Sequence, residues 1–211
     1  MKKMWHALIL TALVPAAAWA NGLQQLENFM RTAKAGQAQF TQTVTSPAKD
    51  GQAARTKTSS GEFSFQRPGQ FKFLYTKPFE QTIVADGKTL WLYDVDLNQV
   101  SQRKQAEALG STPAALLASA SDLAGLQKDF ALKALPDAEG LQWVEALPKA
   151  ADGQLKSVKV GFEGSTLVAM DILDGFGQRS VIRFSQMQVV NALPAGSFTF
   201  TPPKGADVLS Q

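Results

Sequence analysis

The spacing of apolar residues along this chain changes period several times. Residues 7–14 form a nearly continuous apolar run, with Lys2 and Lys3 before it and Ala18-Trp19-Ala20 after it. A cationic start, a short apolar core and a small-x-small ending make a cleaved secretory signal over residues 1–20. The run is too short to span a membrane, which takes about 20 apolar residues. Leu23, Leu26, Met30 and Ala33 then recur at helical spacing. Gly36 is the expected end of that helix.

After Gly36 the period becomes two. Phe40 and Val44 lie in a strand-like run, and residues 46–57 read as a polar loop. Phe63 and Phe65 alternate on one side of Arg67-Pro68-Gly69, and Phe71 and Phe73 on the other, which predicts a hairpin. A three-residue loop pairs Phe65 with Phe71 and Phe63 with Phe73, so all four rings share a face. Gly69 supplies the left-handed residue such a loop requires. A second hairpin is expected around Asp86-Gly87, where a two-residue loop pairs Ile83 with Leu90. Ile83, Leu90 and Leu92 then share one face, and Val84, Trp91 and Tyr93 the other. Both faces are apolar, so this sheet is expected to be covered on both sides.

Thr112-Pro113 opens a short helix through Ala118 that is apolar nearly all round, which requires burial on more than one side. Ser121-Asp122-Leu123 is the expected start of another. Strands resume near residues 128–134, 141–147, 155–163, 166–173 and 178–188, with a last short one at Phe198-Thr199-Phe200. Asp152-Gly153, Glu163-Gly164 and residues 175–177 mark turns. The pattern predicts a mainly β fold. It is a single incomplete antiparallel barrel of about eleven strands with a short helical lid, formed as one domain by residues 21–211.

Composition narrows the chemistry. The only histidine, His6, lies in the signal, and the chain has no cysteine. The mature chain therefore lacks Ser-His-Asp and Cys-His catalysis as usually built, and ordinary zinc sites. Without Lys2 and Lys3 the chain carries 19 basic and 18 acidic residues, and no basic cluster marks a nucleic-acid partner. Asp86 and the pair Asp94 and Asp96 are the best candidates for acid chemistry. Asp is also a favoured turn residue, and that role is the expected one here. No cofactor is expected, and the expected state is a monomer.

The order and spacing of several stretches resemble the LolA family of periplasmic lipoprotein carriers. They are Phe40-Thr41-Gln42, Gly61-Glu62-Phe63, Arg67-Pro68-Gly69, residues 85–94, Gly110-Ser111-Thr112-Pro113 and residues 198–205. The resemblance implies a half-barrel that shuttles lipoproteins from an inner-membrane ABC transporter to an outer-membrane receptor. It implies that Arg67 is a latch bonding backbone carbonyls of a lid at Thr112–Ala118. Phe71 and Phe73 match its mouth and cavity aromatics, and Leu117 and Met170 its lid and cavity aliphatics. The family often has tryptophan in place of Phe73 and a larger aromatic in place of Met170. Together with the alternating face, this gives Phe63, Phe65, Phe71, Phe73, Ile83, Leu90, Leu92, Leu116, Leu117 and Met170 as the expected acyl-chain cavity. The same half-barrel also suits a periplasmic lipid-binding or lipoprotein-sensing module. A hydrolase built on Asp94 and Asp96 has little support.

Overall fold

The computed structural model describes residues 22–48, 53–109, 122–150 and 155–210. The signal segment, the helix expected at Thr112–Ala118 and the Asp152-Gly153 turn lie outside them, as does part of the loop expected at 46–57.

The first element is α1 (Gly22–Thr32). Its Leu26, Phe29 and Met30, with Ala33 just beyond, form a stripe buried to 1% exposure or less. Gly36 does not cap this helix. It lies inside β1 (Ala35–Ser46), where a Cβ would come within 2.8 Å of the Phe65 ring and 2.9 Å of the Gln188 carbonyl. Close packing of backbone against ring, rather than a left-handed cap, accounts for the glycine.

β1 pairs with β2 (Arg55–Gln66), so the residues that read as loop after Ser46 include the start of a strand. Next come β3 (Gln70–Lys77), β4 (Gln81–Asp86), β5 (Thr89–Asp94) and β6 (Gln99–Lys104), then α2 (Gln105–Leu109). Helix α3 (Leu123–Asp129) starts where expected, with Asp122 accepting from the Gly125 N–H at 2.7 Å. Strands β7 (Phe130–Ala134), β8 (Gln142–Pro148), β9 (Leu155–Glu163), β10 (Thr166–Asp174) and β11 (Arg179–Val190) follow, and β12 (Asp207–Ser210) closes the order.

The twelve strands among the described residues form one sheet in the order β12-β6-β5-β4-β3-β2-β1-β11-β10-β9-β8-β7. β7 and β12 are its two edges, so the barrel is incomplete. The C-terminus departs from expectation in two places. Phe198-Thr199-Phe200 is not a strand, whereas Asp207–Ser210 is, and it pairs parallel to β6. The alternating aromatics here serve as side-chain anchors. Phe198 is buried, and Phe200 packs on Trp91 and Tyr93 at 5.5 and 6.1 Å. The outer face of β5 is thus covered, as its apolar residues require.

The first hairpin has the expected register, with Phe63 opposite Phe73, Phe65 opposite Phe71, and Gly69 at φ 76°. The second is offset from expectation: Ile83 pairs with Leu92, and Ala85 with Leu90. The turn is Gly87-Lys88, because the Asp86 carboxylate accepts from the Lys88 and Thr89 N–H groups at 2.8 and 2.7 Å. The offset is two residues, an even number, so every side chain keeps its expected face.

Between Ser60 and Gly61 the β2–β3 register shifts. A Cβ on Gly61 would lie 1.9 Å from the Leu74 carbonyl oxygen, so no larger residue fits without moving backbone. Gly61→Ala should lower stability by about 1–3 kcal/mol, read as a fall in the urea midpoint. An unchanged midpoint would contradict this packing.

Candidate functional site

One apolar face runs along the concave side of the sheet. Phe63, Phe65, Phe71, Phe73, Leu90 and Met170 join one buried cluster, and Ile83 packs against it. Leu92 shares the face but is half-buried and outside the cluster. Leu116 and Leu117 lie outside the described residues.

The rings are in mutual contact. Phe63 lies 4.6 Å from Phe73 and 5.2 Å from Phe184, and Phe40 lies 5.2 Å from Phe73. From α1, Phe29 reaches Phe65 at 5.9 Å and Phe162 at 5.8 Å, joining β2 to β9 across the trough. Sequence reasoning passed over Phe29, Phe162 and Phe184. Phe29 carried a signal, since it falls on the helical stripe of Leu26, Met30 and Ala33. Phe162 and Phe184 alternate in phase with the neighbouring buried Val160 and Ile182.

Arg67 stands at one end of this floor. Its guanidinium carbon sits 5.0 Å from the Phe29 ring centre and 5.2 Å from that of Phe65. Nη1 donates to the Ala33 carbonyl just beyond α1, and the backbone N–H donates to the Lys34 carbonyl at 2.8 Å. Nε and Nη2 are buried without a hydrogen-bond partner among the described residues. The carbonyl Arg67 holds is thus at the end of α1, while the lid expected at Thr112–Ala118 lies outside the described residues. Burial pushes the Arg67 pKa down to about 10, so the group is still charged at neutral pH.

At the other end the same inward-facing rows turn polar. Tyr75 donates to Gln42 Oε1 at 2.8 Å, and burial pushes its pKa up to about 12. A groove of about 450 Å3 opens there, lined by Gln42, Tyr75, Gln81, Asp94 and the hairpin-tip residues Phe79 and Leu97. Phe79 and Leu97 are 63% and 69% exposed, a high value for such side chains.

The acidic candidates are engaged in turns. Asp94 Oδ1 accepts from the Leu97 N–H at 3.0 Å. Asp86 also accepts from the Trp91 indole at 3.0 Å. Burial raises the Asp86 pKa, but the Thr89, Trp91 and Lys88 hydrogen bonds outweigh it and hold it below the usual value.

Sheet and floor define the class of protein: an incomplete β-barrel whose concave face suits apolar ligands. The chain belongs to the LolA family, since residues 31–201 match the family described as outer membrane lipoprotein carrier protein LolA. An outer-membrane lipoprotein carrier protein of Albidiferax ferrireducens is 59% identical, covering 98% of this chain and 99% of its own. One of the same description from Methylibium petroleiphilum is 54% identical, covering 99% and 98%. Among solved structures, an uncharacterized conserved protein from Thermus thermophilus shares the fold. Its TM-score is 0.50 at 14% identity, covering 90% of this chain and 97% of that one.

The lowered Arg67 pKa means that burial works against its charge. A cation whose folded pKa lies below its unfolded value costs stability at neutral pH, and the cost fades only as pH rises through about 10. Relief of that cost offsets the lost Ala33 hydrogen bond and ring contacts, so Arg67→Met should stay within about 1 kcal/mol of wild type at neutral pH in thermal denaturation. A fall in Tm of more than about 4 °C, on the order of 1 kcal/mol for a domain of this size, would contradict this.

Proposed function

We propose that this protein is a periplasmic carrier that binds the acyl chains of outer-membrane-directed lipoproteins on its concave aromatic face. It takes them from an inner-membrane ABC transporter and yields them to an outer-membrane receptor, without catalysing a reaction. Residues 1–20 direct export and are removed, and residues 21–211 act as one half-barrel domain.

The observation that carries this reading is the continuous floor of rings, with a half-buried Arg67 at one end whose Nε and Nη2 have no partner among the described residues. The names of the relatives and the export-type N-terminus support it. Phe63, Phe65, Phe71, Phe73, Ile83, Leu90, Leu92 and Met170 form the described part of the chain-binding surface, and Leu116 and Leu117 belong to its cover.

Magnitudes fit a carrier that must also release. Burying an acyl chain gains about 0.8 kcal/mol per methylene, hence over about 10 kcal/mol for a long chain. A hydrogen bond to a charged group contributes about 1.5–3 kcal/mol. Arg67 is thus too weak to bar a chain. It biases the empty protein toward closure and so weakens net binding enough to permit handover. Nε and Nη2 are the donors that serve a lid carbonyl.

Incubation with lipoprotein-bearing inner membranes tests this. Wild type should bring lipoprotein into the soluble fraction and pass it to receptor-bearing membranes. Arg67→Leu should hold its cargo and slow the second step. A wild-type protein that solubilises no lipoprotein would sink the proposal, and one that co-purifies with stoichiometric free lipid instead would favour a lipid-binding module.

A further inference from the structure

Gln105, the first residue of α2, is only 3% exposed, unusual for a glutamine. Both ends of its amide are bonded. Nε2 donates to the Gly69 carbonyl at 2.5 Å, and Oε1 accepts from the Gly87 N–H at 2.8 Å. Its backbone N–H donates to the Lys88 carbonyl at 2.8 Å.

Those partners lie on two neighbouring hairpin tips. Gly69 ends the turn that carries Arg67, and Gly87 opens the β4–β5 turn. The tips are close enough that a Cβ on Gly69 would sit 3.3 Å from Gln105 Nε2 and 3.9 Å from the Gly87 Cα. On its other side, the Arg67 turn is held through the Lys34 and Ala33 carbonyls. The turn is therefore clamped between the end of α1 and the start of α2. From α2 the chain runs on into residues 110–121.

We propose that Gln105 is the positioning residue for Arg67. Its amide fixes the arginine-bearing turn against the root of α2, so that the guanidinium is presented in one place. This rests on the reading of Arg67 as the group that biases the cavity toward closure. The amide is suited to the task because it offers a donor to one tip and an acceptor to the other, which neither a carboxylate nor an aliphatic side chain can do.

Gln105→Glu tests this with almost no change of shape. Its carboxylate still accepts from Gly87 but sets an acceptor against the Gly69 carbonyl, and protonation restores a donor. Release of a fluorescent palmitoyl probe should be about two- to thirtyfold slower than wild type at neutral pH. It should return toward the wild-type rate on acidification to about pH 5. A double variant, Arg67→Leu with Gln105→Leu, should be no slower than Arg67→Leu alone, because both changes remove one device.

Wild-type release by Gln105→Glu at every pH, or slowing by the double variant equal to the product of the singles, overturns the assignment. If Arg67→Leu itself leaves release unchanged, the closure reading fails instead. The Arg67 Nε–H resonance then decides positioning by itself. It should shift and exchange faster in Gln105→Glu at neutral pH and recover on acidification, and an unchanged resonance overturns the proposal.

Discussion

A single curved sheet cannot cover its own apolar face, and most of this structure answers that constraint. On the concave side the answer is α1, packed over β7 to β10, with Phe29 wedged between rings of β2 and β9. Full burial of such a side chain is worth about 1.5–3 kcal/mol, and Phe29 applies it where the two halves of the sheet face each other. On the convex side the answer is the segment from β11 to β12. It buries Phe198, sets Phe200 on Trp91 and Tyr93, and ends by adding a parallel edge strand to β6.

The same constraint explains why Arg67 stands out. It packs on the buried Phe29 and Phe65 rings, yet it carries a charge with one side-chain acceptor among the described residues. Cation–π contact offsets part of the desolvation, and among the described residues Nε and Nη2 have no hydrogen-bond partner. The arrangement costs stability, which suits a group kept for switching between states better than one kept for holding the fold.

Much of this was legible in residue order because alternation fixes faces. The Phe63 to Phe73 hairpin was readable, since the three-residue loop puts all four rings on one face, a two-residue loop would not, and Gly69 supplies the left-handed residue. At the second hairpin, Asp-Gly suggested the turn position, but the side-chain bonds of Asp86 moved it on by one residue. Propensity does not contain those bonds. The faces survived because the resulting register offset was even. The C-terminus misled because alternating Phe198 and Phe200 look the same whether they belong to a ladder or anchor a strap. A four-residue parallel edge beyond two prolines has too little pattern to read. The family resemblance singles out Arg67, but neither its Ala33 partner nor the Gln105 hydrogen bonds can be read from the chain, because long-range bonds to backbone carbonyls leave no trace in spacing.

A carrier of this kind receives acyl chains on the concave aromatic face and not on the convex one. A photo-reactive phenylalanine analogue placed singly at Phe73, Ile83 or Leu90, and at the outward positions Lys72 or Trp91, tests this most directly on the carrier–lipoprotein complex. Cross-links to the acyl moiety from the first three positions and none from the outward two are the predicted result. Labelling from Lys72 or Trp91 with none from Phe73, Ile83 or Leu90 would contradict the account.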